Sequence, residues 1–350
     1  MGLVEYLVNL PVDVFLPGEE RRALAKILGI QGRRFLVSAP ARSNRVFWPR
    51  QGSSIQLVFP SINPCQIEGK IAERRLLPVP LLEVEAAGET PLAQLLATPG
   101  RSGRICVITG GKGGTGKTCV SINLAFLCAQ KGARVALLDC DWGTANIAIH
   151  LGLNPERNLV DIIKGKLDLG DVSLELGDNI HFYPGNSADP ETVDLSPWDH
   201  ARFMGLLAAL ERMYDYVFID TGAGLGRAIS NCFLTASDII LVLNDTPSSI
   251  IDSYGLLKSI RRQTHLPTVS LVMNRVHHGW QGAVNRFLET SRDYLGEKPH
   301  FLGAIREDRQ ILLAECQGRP LVLFAPQSPG AQDLQTLADR FLQLGQRGRG

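Results

Sequence analysis

Net charge of either sign is almost missing from this 350-residue chain: 36 Lys and Arg stand against 35 Asp and Glu, a formal +1. A protein that coats nucleic acid or anionic lipid by bulk electrostatics carries a surplus of one sign, so the balance speaks against both. Seven cysteines are scattered along the chain, none spaced as CxxC and none clustered with histidine. A structural zinc site finds no ligand set here. Cysteines inside apolar runs, such as Cys106 in ICVIT, read as reduced buried thiols, and a cytoplasmic setting follows. No apolar run reaches the roughly 18 residues of a membrane-spanning helix. The opening MGLVEYLVNLPVDVF has no basic stretch and is interrupted by Glu5, Asn9 and Pro11, so no signal peptide is expected. Repeats and low-complexity tracts are absent. With 45% hydrophobic and 20% charged residues, what is there is an ordinary globular composition.

A boundary shows at residues 86–103, AAGETPLAQLLATPGRSG, small and punctuated by Pro and Gly. Before it, residues 1–85 read as a small β-rich module. RRFLVSAP, SSIQLVFP and LLPVPLLEVE carry alternating or β-branched apolar residues between turn formers, as strands of a barrel would. EERRALAKILG predicts a helix ending at Gly29. FWPRQGSSIQLVF, followed by PVPLLEVE, resembles the N-terminal split-barrel domain that accompanies PilZ domains in flagellar-brake proteins. The RxxxR and DxSxxG signatures of the PilZ domain itself are absent. Arg42, Arg45, Arg50, Arg74 and Arg75 could hold an anion or form a solvated face, and the solvated face is favoured.

After residue 104 the pattern changes to strand–helix alternation. ICVIT, RVALLD, YVFIDT, DIILVL and VSLVMN are continuous apolar runs of the kind that form buried parallel strands. Helical segments such as VSINLAFLCAQKG and DHARFMGLLAALERM separate them. The expected fold is α/β, a doubly wound, mostly parallel sheet over residues 104–350, with ligands at the carboxyl ends of its strands.

The sharpest signal is GKGGTGKT at Gly111–Thr118, which satisfies G-x-x-x-x-G-K-[ST] between a strand and a helix. Gly111, Gly113, Gly114 and Gly116 let the backbone wrap a phosphate and aim its N–H groups inward, and Thr115 lies within the same loop. Lys117 would reach the outer phosphates and the Thr118 hydroxyl a Mg²⁺ ion. Asp139 and Asp141 in DCDWGTAN follow a buried strand two residues apart, so both carboxylates can face one way. YDYVFIDTGAGLG ends a strand at Asp220, four apolar or aromatic residues before an acid, with Gly222 and Gly224 giving the next loop freedom to switch. Asn274 ends the strand VSLVMN.

These motifs, in this order, resemble the MinD/ParA family of deviant Walker A ATPases, and most nearly its flagellar-number (FlhG/FleN) branch through DTGAG and DxDxGxAN. The resemblance spans about 250 residues and implies ATP and Mg²⁺ as ligands. It implies that Lys112 crosses to the nucleotide of a second copy in an ATP-dependent homodimer. Asp141 would orient or deprotonate the attacking water, while Asp139 and Asp220 would serve Mg²⁺ with Thr118. Asn274 would meet the adenine. Cys119 stands where the family usually has Thr or Ser against the α-phosphate. Arg306, in FLGAIREDRQ, stands where the family usually has Pro.

Leu334, Leu337, Ala338, Phe341 and Leu342 form an apolar stripe at helical spacing. Asp333 and Asp339 interleave it, so it reads as a core helix rather than a membrane anchor, and any membrane association is peripheral at most. The function expected is an ATP-dependent dimerising switch for the placement or number of a cellular structure, flagella foremost, acting on a protein of the flagellar or polar assembly machinery. The alternatives are a ParA-like DNA-partition ATPase, which the charge balance disfavours, and a scaffold for a pilus or secretion pole.

Overall fold

The computed structural model describes, within residues 11–86, eight strands and Gln51; beyond them it describes residues 103–141, 145–186, 197–224, 232–233, 235–263, 267–296 and 298–347. The chain divides into two units, residues 1–101 with 195–209, and residues 102–194 with 210–350. The stretch expected as a linker falls almost wholly outside the described residues.

The first unit holds β1 (Pro11–Phe15), β2 (Ala23–Gln31), β3 (Arg34–Ser38), β4 (Ala41–Arg42), β5 (Arg45–Val46), β6 (Ser54–Phe59), β7 (Cys65–Arg75) and β8 (Leu81–Ala86). Every pairing is antiparallel, and β1, β6, β7, β8, β3 and β2 close into a ring because β1 also pairs β2. Closure leaves the ring without free edges. Val37, Ile55 and Ile71 are buried. The helix expected over EERRALAKILG is overturned, since Ala23–Gln31 is β2, with Val12 opposite Ala25 and Phe35 opposite Ile30. Helix propensity is worth only tenths of a kcal/mol per residue, and hydrogen bonding along both strand edges outweighs it. Arg42 and Arg45 stand opposite each other on β4 and β5. Arg74 and Arg75 lie on β7, and Arg50 is outside the described residues.

The second unit is a doubly wound α/β layer. Its strands are β9 (Arg104–Thr109), β10 (Val135–Cys140), β11 (Leu174–Gly177), β12 (Ile180–Tyr183), β13 (Tyr216–Thr221), β14 (Asp238–Leu243), β15 (Thr268–Val276) and β16 (His300–Arg306). They lie in the order β11-β12-β10-β13-β9-β14-β15-β16, and all neighbours are parallel except β11 and β12. Continuous apolar runs became the fully covered strands, as in β10 and β14, where every residue is buried. The chain steps outward from β9 to β10, returns to fill the gap with β13, then continues on the other side with β14. That reversal beside β9 opens the crevice where such folds bind ligands.

Helix α1 (Lys117–Gln130) follows β9 directly and is buried along most of its length. Further helices are α2 (Ile147–His150), α3 (Leu159–Ile163), α4 (Leu169–Val172), α5 (Pro197–Met213), α6 (Pro247–Gln263), α7 (Gln281–Leu295), α8 (Arg309–Cys316), α9 (Leu321–Phe324) and α10 (Pro329–Arg347). The C-terminal stripe is core: Leu334, Leu337, Ala338 and Phe341 on α10 are buried. The Phe341 ring packs 5.5 Å from Tyr216 and 5.7 Å from Phe218. Among the described residues no helix is long and apolar enough to cross a membrane.

Candidate nucleotide site

Between β9 and α1 the backbone turns through Gly110–Gly116, and it uses its glycines for two separate purposes. A Cβ on Gly110 would stand 2.6 Å from the Val242 carbonyl, and one on Gly111 would run into the Asp252–Ser253 peptide of α6. These glycines let the loop press on β14 and α6. Gly113 and Gly114 have nothing within 4 Å of the same position, so the crest of the loop is open. Gly114 and Gly116 hold φ of 76° and 88°, which disfavours any side chain.

Side chains then lock the loop from behind. The Ser253 hydroxyl accepts from the Gly111 amide at 3.3 Å, and Thr115 Oγ1, on a buried residue, donates to the Lys112 carbonyl at 3.4 Å. Asn274, also buried, donates from Nδ2 to the Thr115 carbonyl at 2.8 Å. As placed, Asn274 braces the loop. Lys112 is exposed, and its Nζ donates to Ser248 Oγ at 2.7 Å. Sequence reasoning missed Ser248 and Ser253. They lie more than 130 positions from the loop in an unremarkable helix start, and no local pattern marks them.

Lys117 sits beneath the loop at 8% exposure, its Nζ 3.5 Å from the Lys112 carbonyl. Burial lowers its pKa, while the charges of Asp220 and Asp141 pull the other way. Cys119 follows on α1, its sulfur 3.6 Å from Asn123 Nδ2, and burial pushes its thiol up to about 12. It stays a neutral thiol there.

The acids gather at the ends of two neighbouring strands. Asp139 of β10 and Asp220 of β13 are direct partners across the parallel ladder. Asp139 is wholly buried and both oxygens accept backbone N–H groups, Oδ1 from Asp141 at 3.2 Å and Oδ2 from Ile147 at 2.9 Å. Burial and the neighbouring Asp220 charge push it up to about 8. Asp220 is pushed up to about 6 by burial, with the Thr118 hydroxyl pulling it back. Its Oδ1 has no hydrogen-bond partner among the described residues. An orphaned carboxylate oxygen beside a P-loop Thr and Lys suits a hydrated divalent cation. Thr221 ties the end of β13 to β9 through Oγ1 and the Ile108 carbonyl at 3.0 Å. Asp141 is half-buried and abuts Gly222, where an added Cβ would lie 2.7 Å from its Oδ1. The residues singled out from sequence therefore meet at one end of the sheet, with Trp142–Thr144 outside the described residues.

A glycine loop joining a central parallel strand to a buried helix, with a lysine below it and acids on the neighbouring strand ends, defines a P-loop nucleotide-binding protein. The chain belongs to the CobQ/CobB/MinD/ParA nucleotide-binding family, whose model matches residues 106–321. It is 35% identical over 206 residues to the antiactivator FleN of Pseudomonas aeruginosa, covering 56% of this chain and 74% of that one. Its identity to the flagellum site-determining protein YlxH of Helicobacter pylori is 29%, over 67% of this chain and 80% of the relative. The structure of the septum site-determining protein MinD from Pyrococcus horikoshii, complexed with Mg-ADP, superposes with a TM-score of 0.57 at 26% identity. That match covers 69% of this chain and 97% of the other.

Proposed function

We propose that the chain is a Mg²⁺-dependent ATPase acting as a switch: ATP joins two copies, the dimer engages a protein partner, and hydrolysis resets it. The relatives named for antiactivation and for flagellum siting support a role in the placement or number of flagella. The observation that carries the reading is the division between the two loop lysines, Lys117 buried under the loop and Lys112 exposed beside it. A buried lysine suits the phosphates of its own site; an exposed one can reach the nucleotide of a second copy.

In this reading the amides of Gly111–Cys119 hold the phosphates, and Thr118 and Asp220 hold Mg²⁺. The metal would neutralise charge on the phosphoryl group in transfer. Asp141 orients the attacking water, since such catalysis rests mainly on positioning and charge stabilisation. Asn274 meets the adenine with the amide groups its loop bond leaves over.

Light scattering of the full chain with ATP, with ADP and without nucleotide tests the switch, alongside Asp141→Ala. Doubling of mass with ATP, persisting in the variant, is expected. A mass unchanged by ATP in both proteins removes the reading.

A further inference from the structure

We infer that Asp139 is a positioning residue for Asp141, a latch on the loop that carries it, and does not ligate the metal. The inference rests on the ATPase reading above for what Asp141 does, and on the geometry alone for what Asp139 does.

Asp141 directly follows β10 and Ile147 opens α2. Both meet on one carboxylate, which accepts from the Asp141 amide at 3.2 Å and from the Ile147 amide at 2.9 Å. The second of these bonds also serves α2, whose N-terminal Asn146 makes no side-chain capping bond. With each oxygen holding an N–H and the residue wholly buried, a cation at Asp139 would have to share an oxygen already committed to one of these bonds. Asp220 requires no such sharing, because its Oδ1 lacks a partner among the described residues. The two acids stand side by side on β10 and β13, yet one faces backbone and the other has an oxygen to spare.

Two glycines complete the latch. The ideal Cβ of Gly185, just past β12, would stand 2.5 Å from the Asp139 carbonyl and 3.1 Å from the Ala145 side chain. Any other residue there would push on the loop from behind. On the far side Gly222 gives Asp141 its room, as a methyl group would lie 2.7 Å from Oδ1. Asp139 therefore sets the backbone of Asp141, and Gly222 sets the space for its side chain. The two-residue spacing of the acids acquires a reason in this arrangement: the first acid latches and the second acts.

The test compares Asp139→Ala, Asp220→Ala and Gly222→Ala in the full chain, with three readouts. Amide exchange of a peptide spanning residues 141–150 should speed at least tenfold in Asp139→Ala and stay within twofold in Asp220→Ala. The Mg²⁺ concentration for half-maximal ADP binding should stay within twofold of wild type in Asp139→Ala and Gly222→Ala, but rise tenfold or more in Asp220→Ala. Turnover of Mg-ATP should fall at least tenfold in both Asp139→Ala and Gly222→Ala with KM within threefold. A tenfold rise in the Mg²⁺ requirement of Asp139→Ala overturns the inference by making the residue a ligand, and so does unchanged amide exchange. Should Asp139→Ala not fold, Gly222→Ala decides: wild-type turnover in that variant overturns the positioning of Asp141. If wild type itself releases no phosphate, the ATPase reading fails alone, and the exchange and Mg²⁺ results still settle the latch.

Discussion

Asn274 Nδ2 lies 2.8 Å from the carbonyl of Thr115, and the same amide occupies the place where a side chain at position 116 would begin. The last strand before α7 thus holds the phosphate loop from behind, and Gly116, at φ 88°, is the residue that allows it. Replacing Asn274 by Ala removes one buried hydrogen bond worth about 1 kcal/mol. Nucleotide affinity should fall roughly fivefold by titration calorimetry, with folding preserved. Gly116→Ala adds left-handed backbone strain of about 1–2 kcal/mol and a collision with Asn274, so it should abolish measurable binding. Wild-type affinity in both variants would show that the brace does not shape the loop.

Lys112 is exposed and held by Ser248 at 2.7 Å, so removing it disturbs no packing. Lys112→Ala should melt within 1 °C of wild type and bind ADP normally, yet gain no mass with ATP in light scattering. Lys117→Ala should instead lose nucleotide binding outright, because that amine sits under the loop. Dimerisation of Lys112→Ala in ATP would dismiss the crossing role.

Much of this site was legible because its information is local. GKGGTGKT fixes loop, helix start and lysine within eight neighbouring positions, and apolar runs such as DIILVL can only be covered strands. Contacts made across the chain were not legible. Ser253 reaches Gly111 from 142 positions away, and nothing in PSSIIDS announces it. The resemblance put Asp139 at the metal, and nothing local in DCDWGTAN announces that its carboxylate also accepts the amides of Asp141 and Ile147. The strand at Ala23–Gln31 was misread as helix because its pairing partners on β1 and β3, not its own composition, decide its conformation.

Asp220 makes stability depend on pH. Its carboxyl is pushed from 3.8 up to about 6 in the fold. Between those values the folded chain holds a proton that the unfolded chain releases, so stability falls as pH rises through the window, and Asp139, pushed up to about 8, carries a further fall above it. The Asp220 shift corresponds to about 3 kcal/mol. Melts of the nucleotide-free chain should show a fall from about pH 4 that continues towards pH 8, and Asp220→Asn should make it shallower between about pH 4 and 6. An equally steep fall in the variant would place the proton elsewhere.

The fate of α10 separates a core helix from a membrane anchor. Phe341 is 3% exposed and packs on Tyr216 and Phe218 of β13. Truncation to Ala opens a cavity in a close-packed layer and should cost about 3–5 kcal/mol in urea denaturation. On the same helix Asp339 pairs with Lys131 at 2.7 Å, with the two side chains 54% and 42% exposed. That ion pair is screened by water, so Lys131→Ala should cost less than about 1 kcal/mol. The contrast follows from facing direction alone, since both contacts join α10 to the same unit. An anchor would behave oppositely, with Phe341→Ala leaving stability intact and reducing sedimentation with anionic vesicles. A denaturation midpoint unmoved by Phe341→Ala would therefore overturn the core assignment of the helix.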